Sequence, residues 1–589
     1  MGENACDDVF DWAARDPRHV LFTRHADGAW QPVTAAEVAG RVAAVAAGLI
    51  AEAVRPGDRV GLMAAASLEW MICDLAIWAA GAVTVPIYET SSAEQVAWEL
   101  TDSGAVAVFA GNARHADVVR RAGLAKVEAV WQLDAGGLDQ LAAAGQRITA
   151  DEVGKRRAAV TSATLATIVY TSGTTGRPKG CVITHGNLTE AVRAVLSAPG
   201  VRDTVLAGDA SSLFFLPLSH VLARVVALCL LRAGKRAGFL AGPGNLARVL
   251  PVFRPTILLT VPRVLEKVVD AARQRAEDEG HGRLFAAAEA TAIAWSRAAG
   301  QAGGRAGAGL RLRHALYRRL VYARLHAALG GQARWVISGG APLGEDLAHF
   351  LNGAGFTVME GWGLTETMGP VTMNPPGAQR IGSVGPPLPG LAVRTAADGE
   401  IEVQGPSVFQ GYWRDPGATA EAFDGRWLRT GDLGRLDDDG YVSITGRKKE
   451  LIITAAGKNL VPSVLEDKVR EHWLIGECVV VGDRRPYVAA LVTLDDEAFA
   501  RWKQRHGKPA GATPGELRED PDLCRTVQEA VSRANLAVSH AEAIKRFRVL
   551  DGAFTVGAEL TPTQKVRREY VLDKYASDVD ALYAGPRRE

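Results

Sequence analysis

Residues 163–180, ATLATIVYTSGTTGRPKG, run a stretch of apolar and β-branched residues directly into a loop of glycines, small hydroxyls and two cations. The first eight residues have strand character, so the glycines fall at a strand end, where ligands collect in α/β sheets. Gly173 and Gly176 let the backbone turn sharply and bring N–H groups close to an anion. Thr171, Ser172, Thr174 and Thr175 add hydroxyl donors, and Lys179, following Pro178, supplies a point charge for a terminal phosphate. The loop therefore reads as a phosphate binder. It is not the common nucleotide loop, because Gly180 stands where G-x-x-x-x-G-K-[ST] places the hydroxyl that ligates Mg²⁺.

The same rhythm extends on both sides. DRVGLMA (58–64) precedes LEWMICDLAIWAAG (68–81), and VTVPIY (83–88) precedes SAEQVAWELTDSG (92–104) and AVAVFAG (105–111). Strand-like runs alternating with Ala-rich helical ones, up to about residue 390, predict an α/β class with mainly parallel sheets. Residues 263–329 depart from it, holding no convincing strand and reading as amphipathic helices. From 391 the texture changes to short strands with tight turns: EIEVQG, WLRTGDLGRL, and YVSITGR after the turn DDDG. Beyond 447 a small α+β unit follows, with strands ECVVVGD and YVAALVTL flanking RRP. Ser463 and Glu466 have the spacing of a helix capping box. So do Thr561 and Gln564, with Pro562 at the first helical position, which predicts Lys565 near a helix start.

Composition narrows the function. A chain of 589 residues is too long for one core, and 48% hydrophobic with 23% charged residues is ordinary for a globular protein. Lys+Arg 67 against Asp+Glu 66 leaves a net charge of +1, which gives no electrostatic case for nucleic acid. The six cysteines include no C-x-x-C pair and read as buried or incidental thiols in a reducing cytoplasm. The opening MGENACDDVFDW lacks the apolar core of a secretion signal. No apolar run reaches the ~18–20 residues that span a bilayer, which leaves only peripheral membrane contact open. The residues do not choose between monomer and homodimer.

YTSGTTGRPKGCVITHGNL resembles the signature loop of the adenylate-forming superfamily. Five further segments resemble that family's other motifs, in the family's order: ISGGAPL (337–343), EGWGLTET (360–367), RTGDLG (429–434), GRKKELIITAAGKNLVPSVLE (446–466) and LTPTQKVRR (560–568). Together they cover about residues 20–575. The resemblance implies ATP, Mg²⁺ and CoA as the molecules used, with AMP and pyrophosphate released. It implies a large domain at 1–446, of layered α/β subdomains plus a distorted β-barrel-like part, a hinge at 447–449, and a small mobile α+β domain at 450–589.

It also implies roles. Glu360 opens a motif whose Gly361, Trp362 and Gly363 lie against adenine, as do Gly339, Gly340 and Ala341. Thr365 serves phosphate and Glu366 holds Mg²⁺; a carboxylate beside a hydroxyl suits a hard cation. Asp432 accepts the ribose hydroxyls, and Arg447 contacts ribose or phosphate. Lys449 is the swivel, Gly457 clears a gap for the pantetheine arm, and Lys565 bridges the carboxylate and the α-phosphate. His220, closing FFLPLSH, either borders the acyl pocket or is a hydrogen-bonded loop residue. The helical segment 263–329 and TAAGKNLVP are similar to those of long-chain fatty acyl-CoA synthetases. The implied partners are a fatty acid and CoA, or else a phosphopantetheinyl carrier protein.

Overall fold

The computed structural model describes residues 4–26, 29–124, 126–171, 177–300, 306–455, 459–561 and 564–584. A six-stranded sheet runs in spatial order Ala129–Gln132, Ala107–Ala110, Arg59–Met63, Val83–Ile87, Leu165–Thr171, Lys179–Thr184. Neighbours are parallel until the last pair, an antiparallel hairpin with Thr171 opposite Lys179. The phosphate-type loop thus joins two strands of one sheet rather than a strand and a helix.

An eight-stranded sheet carries, at its centre, Ser211–Phe214, Ile257–Thr260, Trp335–Ser338 and Thr357–Leu364 as parallel neighbours. Helices cover both sheets and begin where capping chemistry permits. Thr34 with Glu37, Ser92 with Gln95 and Thr184 with Asn187 each close a capping box. Helix Leu68–Ala79 is apolar nearly all round, as a helix buried on every side must be.

The two sheet units are joined by a buried ion pair. Asp74 on helix Leu68–Ala79 takes the guanidinium of Arg224 on helix Val221–Ala233, Nε to Oδ2 at 2.8 Å, and both side chains are fully buried. Arg224 also donates to Thr167 of the six-stranded sheet at 3.0 Å. A desolvated pair like this selects one arrangement of the units more than it adds net stability.

Among the described residues of 263–329 there is no strand, as expected. They form helices Pro262–Asp278, Gly282–Gly300 and Ala308–Tyr317, then a wider five-residue turn at Arg318–Tyr322 and a last helix Ala323–Ala328. The barrel-like part is a five-stranded antiparallel sheet over residues 392–447, curled by register shifts at Glu400/Glu402 and Leu433/Gly434. Strands Ile475–Val481, Val488–Leu494 and Ile544–Val549 form the sheet of the small unit. Its own core includes Leu465, Val469, Val492, Trp502 and Val527.

Both sequence-based capping boxes of the small unit are corrected. Helix Ser463–Arg470 starts without a side-chain cap. Glu466 instead faces inward, accepting Val480 N–H at 2.6 Å and pairing with Arg568 at 2.5 and 2.6 Å. Its charge stabilises a buried arginine rather than a helix end. Lys565 does not sit at a helix start either, since the next helix is Arg568–Lys574. Gln564 before it has φ +61°, Lys565 N–H reaches Thr561 Oγ1 at 3.0 Å, and Lys565 O accepts Thr561 N–H at 2.8 Å. Pro562 lies outside the described residues. All six cysteines are free.

Candidate active site

Two glycine segments lie side by side where the parallel pairing of two adjacent strands ends. Ser338 and Glu360 are the last residues so paired, and Gly339–Gly340–Ala341 and Gly361–Trp362–Gly363 follow directly. Their backbones nearly touch, and a Cβ on Gly339 would stand 3.2 Å from Gly361 O. Gly363 has no room for a side chain, since its Cβ would meet Gly369 O at 2.0 Å, and Gly340 holds φ +86°. The result is a backbone-lined stretch, free of side-chain bulk at the glycines. Below it Glu360 Oε1 accepts Leu343 N–H at 3.2 Å, and burial pushes this carboxyl up to about 7.

Trp362 turns its indole N–H to Asp432 Oδ2 at 2.7 Å. Arg447, directly across the curled sheet from Asp432, places Nε 2.8 Å from Oδ1. Burial raises the Asp432 carboxyl above its ordinary value, while Arg447, the Trp362 hydrogen bond and Lys565 pull it down. Each carboxylate oxygen so engaged keeps a second lone pair, so hydroxyl donors can still be accepted.

Thr365 and Glu366 lie on a single 3₁₀ turn, Thr365–Thr367, that follows the glycines. Glu366 Oε1 accepts Tyr412 Oη–H at 2.9 Å. Burial and the neighbouring Glu366 push the Tyr412 phenol well above its ordinary value, so it remains a donor. Residues 410–413 pair along the outer edge of the loop hairpin, through Cys181 with Tyr412 and Trp413 N–H to Gly180 O at 2.7 Å. That edge brings Lys179 Nζ to 5.2 Å from the centre of the Tyr412 ring. The cation after the loop and the carboxylate of the second motif therefore share one wall.

Lys565 enters from the small unit. Its side chain is open to solvent, yet it stands in a cleft ringed by protein. That surrounding protein lowers its pKa, Arg447 adds to the effect, and Asp432, Glu450 and Glu366 oppose it. His220 occupies the N-cap of helix Val221–Ala233, where Nδ1 accepts Leu222 N–H at 3.2 Å. Burial and the Lys565 charge lower its pKa to about 4, which leaves a neutral imidazole at physiological pH.

The fold thus gathers Lys179, His220, Trp362, Glu366, Asp432, Arg447 and Lys565 around one cleft, from segments up to several hundred residues apart. Ser172, Gly173, Thr174, Thr175, Gly176 and Gly457 lie outside the described residues. Among the described residues no three His, Cys, Asp or Glu side chains form a metal cluster. A lone carboxylate such as Glu366 fits Mg²⁺ that would arrive with nucleotide phosphates, which would supply the ligands the protein does not. Sequence reasoning missed Tyr412 and Glu450. The first is recruited by strand-edge pairing, for which no spacing rule exists; the second adjoins the GRKK run and was available from its position alone.

Paired glycine segments, a tethered carboxylate–arginine pair and a lysine delivered by a separate C-terminal unit together define an enzyme that works on a nucleotide. The AMP-binding enzyme family model matches residues 9–413, and the AMP-binding enzyme C-terminal domain model matches 449–587. The chain belongs to this adenylate-forming family. It is 49% identical over 587 residues to long-chain-fatty-acid–CoA ligase FadD15 of Mycobacterium tuberculosis, covering 99% of this chain and 97% of that one. It is 29% identical to human long-chain-fatty-acid–CoA ligase 1, covering 90% of this chain and 79% of the human one. The ATP-bound RpMatB–BxBclM chimera B1 superposes with a TM-score of 0.71 at 25% identity, over 98% of this chain and 99% of the chimera.

Proposed function

We propose that this protein is a long-chain fatty acid–CoA ligase that forms AMP. A fatty carboxylate oxygen attacks the α-phosphorus of ATP, the bond to the β-phosphate breaks, and pyrophosphate leaves. The CoA thiolate then attacks the acyl carbon of the adenylate, AMP departs, and the thiol proton passes to solvent. The observation that carries the first step is the convergence of Lys565 on the cleft of Asp432, Arg447 and Glu366. Gathering two anions and spreading charge over a crowded phosphorus requires positioned cations and donors rather than a general base.

The roles are carried over from the family resemblance, and the placement of the described residues supports them. The stretch at Gly339–Ala341 and Gly361–Gly363 takes adenine, with Glu360 beneath it, and Asp432 takes the ribose hydroxyls. Thr365, Lys179 and the loop from Thr171 hold phosphates. Glu366, oriented by Tyr412, holds Mg²⁺, which neutralises phosphate charge when bound. His220, being neutral, borders the acyl carboxylate without competing for it. Residues 447–449 are the hinge that withdraws Lys565 before CoA arrives, and Gly457 then clears a path for the pantetheine arm. The choice of long-chain acids and CoA rests on the relatives' names and on the helical segment 263–329.

Incubation with ATP, Mg²⁺, CoA and a panel of acids from short to long chain, read by mass spectrometry, tests the reading. Long-chain acyl-CoA, AMP and pyrophosphate are expected. ADP as the nucleotide product would exclude the reaction, and turnover confined to short acids would exclude the substrate class.

A further inference from the structure

The hairpin Leu165–Thr171/Lys179–Thr184 is anchored from outside its own sheet. Helix Ala93–Ser103 starts with the Ser92–Gln95 capping box and buries Val96 and Leu100 in the core beside that sheet. Its last turn grips the hairpin and the segment that closes the hairpin's edge. Asp102 Oδ2 accepts Tyr170 Oη–H at 2.6 Å, and Asp102 O accepts the Trp413 indole N–H at 3.0 Å and Arg414 Nη1–H at 3.1 Å. The helix is therefore a fixed post, tied to the strand before the loop and to the neighbour of Tyr412.

Trp98 stands one turn before Asp102, on the same face of this post. Its indole N–H donates to Pro178 O at 2.8 Å, and the Arg177 guanidinium carbon lies 4.7 Å from the centre of its ring. Trp98 is half-buried and, unlike Val96 and Leu100, is not part of the core. Its polar and cation–π contacts go to the two residues that lead into Lys179. The carbonyl of Pro178 and the N–H of Lys179 belong to one planar peptide unit, and the proline ring fixes φ on its other side. A grip on Pro178 O thus sets the plane from which the Lys179 side chain departs.

We propose that Trp98 is a positioning residue for the phosphate end of the ATP site, acting through Pro178 and Arg177 on Lys179. The inference rests on the reading of Lys179 as a phosphate contact. A cation that must meet a phosphate loses its effect when displaced by about 1 Å, so the post matters to affinity although it lies outside the cleft.

The test is titration calorimetry of the full chain with Mg²⁺ and either ATP or AMP, without fatty acid so that nothing reacts. AMP lacks the β- and γ-phosphates, so a change at Lys179 should be felt by ATP alone. Trp98→Ala should weaken ATP about tenfold and AMP by less than about twofold. Trp98→Phe keeps a ring for Arg177 but loses the N–H, and should weaken ATP about threefold; should Trp98→Ala fail to fold, this variant alone decides. In turnover, KM for ATP should rise by the same factors while KM for the fatty acid stays unchanged. Lys179→Ala should also weaken ATP selectively, and adding Trp98→Phe to it should cost nothing further, because the two act in series. Equal losses for ATP and AMP, or none, in the Trp98 variants would overturn the proposal and leave Trp98 a packing residue. Lys179→Ala without selectivity would overturn the phosphate reading itself, and the inference with it. Additive losses in the double variant would show that Trp98 does not act through Lys179.

Discussion

Two cations, Arg447 and Lys565, stand near one buried carboxylate, Asp432, and they are held differently. Arg447 is fixed by a 2.8 Å ion pair across a sheet. Lys565 is carried by the small unit, and the protein around it, together with the Arg447 charge, lowers its pKa. A cation held at a cost in the resting state is suited to meet an anion only during reaction. Lys565→Ala should slow adenylate formation about 10²–10³-fold, a loss of about 3–4 kcal/mol, and leave thioester formation from supplied acyl-AMP largely intact. Timing the half-reactions separately decides it; equal losses would deny the division of labour. Glu360 allows a pH test with a definite sign. Its carboxyl titrates at about 7 in the folded chain, against about 4.3 in an unfolded one. Between these values the folded protein keeps a proton that the unfolded chain has released. Stability from this group is therefore full below the lower value and declines as pH rises to the upper one. Glu360→Gln keeps the oxygen that accepts Leu343 N–H. Its melting temperature should gain on the wild type by about 2 °C between pH 5 and pH 8. A gap independent of pH would mean that Glu360 is ionised throughout.

At the scale of elements, the site depends on backbone proximity more than on side-chain bulk. Strand Thr357–Leu364 switches from a parallel partner to the antiparallel strand Gly369–Met373 just where the glycines lie. There Gly363 packs against Gly369 O so closely that a Cβ would overlap it at 2.0 Å. Gly363→Ala must displace main chain, costing about 1–3 kcal/mol and spoiling the glycine stretch. Calorimetry should show ATP affinity falling more than stability does, and an unchanged affinity would mean the stretch does not hold the nucleotide. The hairpin Leu165–Thr171/Lys179–Thr184 makes a similar point. Its outer edge is not left bare, because residues 410–413 close it and in doing so deliver Tyr412 to Glu366.

The whole molecule joins its units in two different ways. The sheet units are locked by Asp74–Arg224, desolvated on both sides. Asp74→Ala leaves a buried guanidinium without its counter-charge and should cost about 3–5 kcal/mol in denaturant unfolding, with a loss under 1 kcal/mol counting against the pair as a lock. The junction with the small unit is built otherwise. Lys448 is anchored to Asp398 at 2.6 Å and Glu400 at 2.8 Å, while Lys449, the next residue, is exposed. A fixed post followed by an open residue is a place where rotation costs little. Lys449→Pro restrains φ there and should slow thioester formation at least tenfold while sparing adenylation, the reverse of Lys565→Ala. Pre-steady-state quench of both steps would reveal it, and a slower first step alone would move the hinge elsewhere.

What the chain determined by itself is local and patterned. Alternating strand and helix runs predicted parallel α/β layers, and the absence of strand signal predicted the helices of 263–329. These readings succeed because backbone geometry and side-chain period are properties of a few adjacent residues. Tertiary structure decided the rest. Glu466 has capping-box spacing after Ser463, but a buried Arg568 more than a hundred residues away claims its charge. Thr561 and Gln564 look like a helix start, yet Thr561 N–H is taken by Lys565 O and the next helix begins only at Arg568. Tyr412 carries no signal that ties it to Glu366 until two strand edges meet. For Glu466 and Tyr412 the deciding term is desolvation: a buried charge or strand edge must find a partner wherever the fold places one, and that partner is remote in sequence.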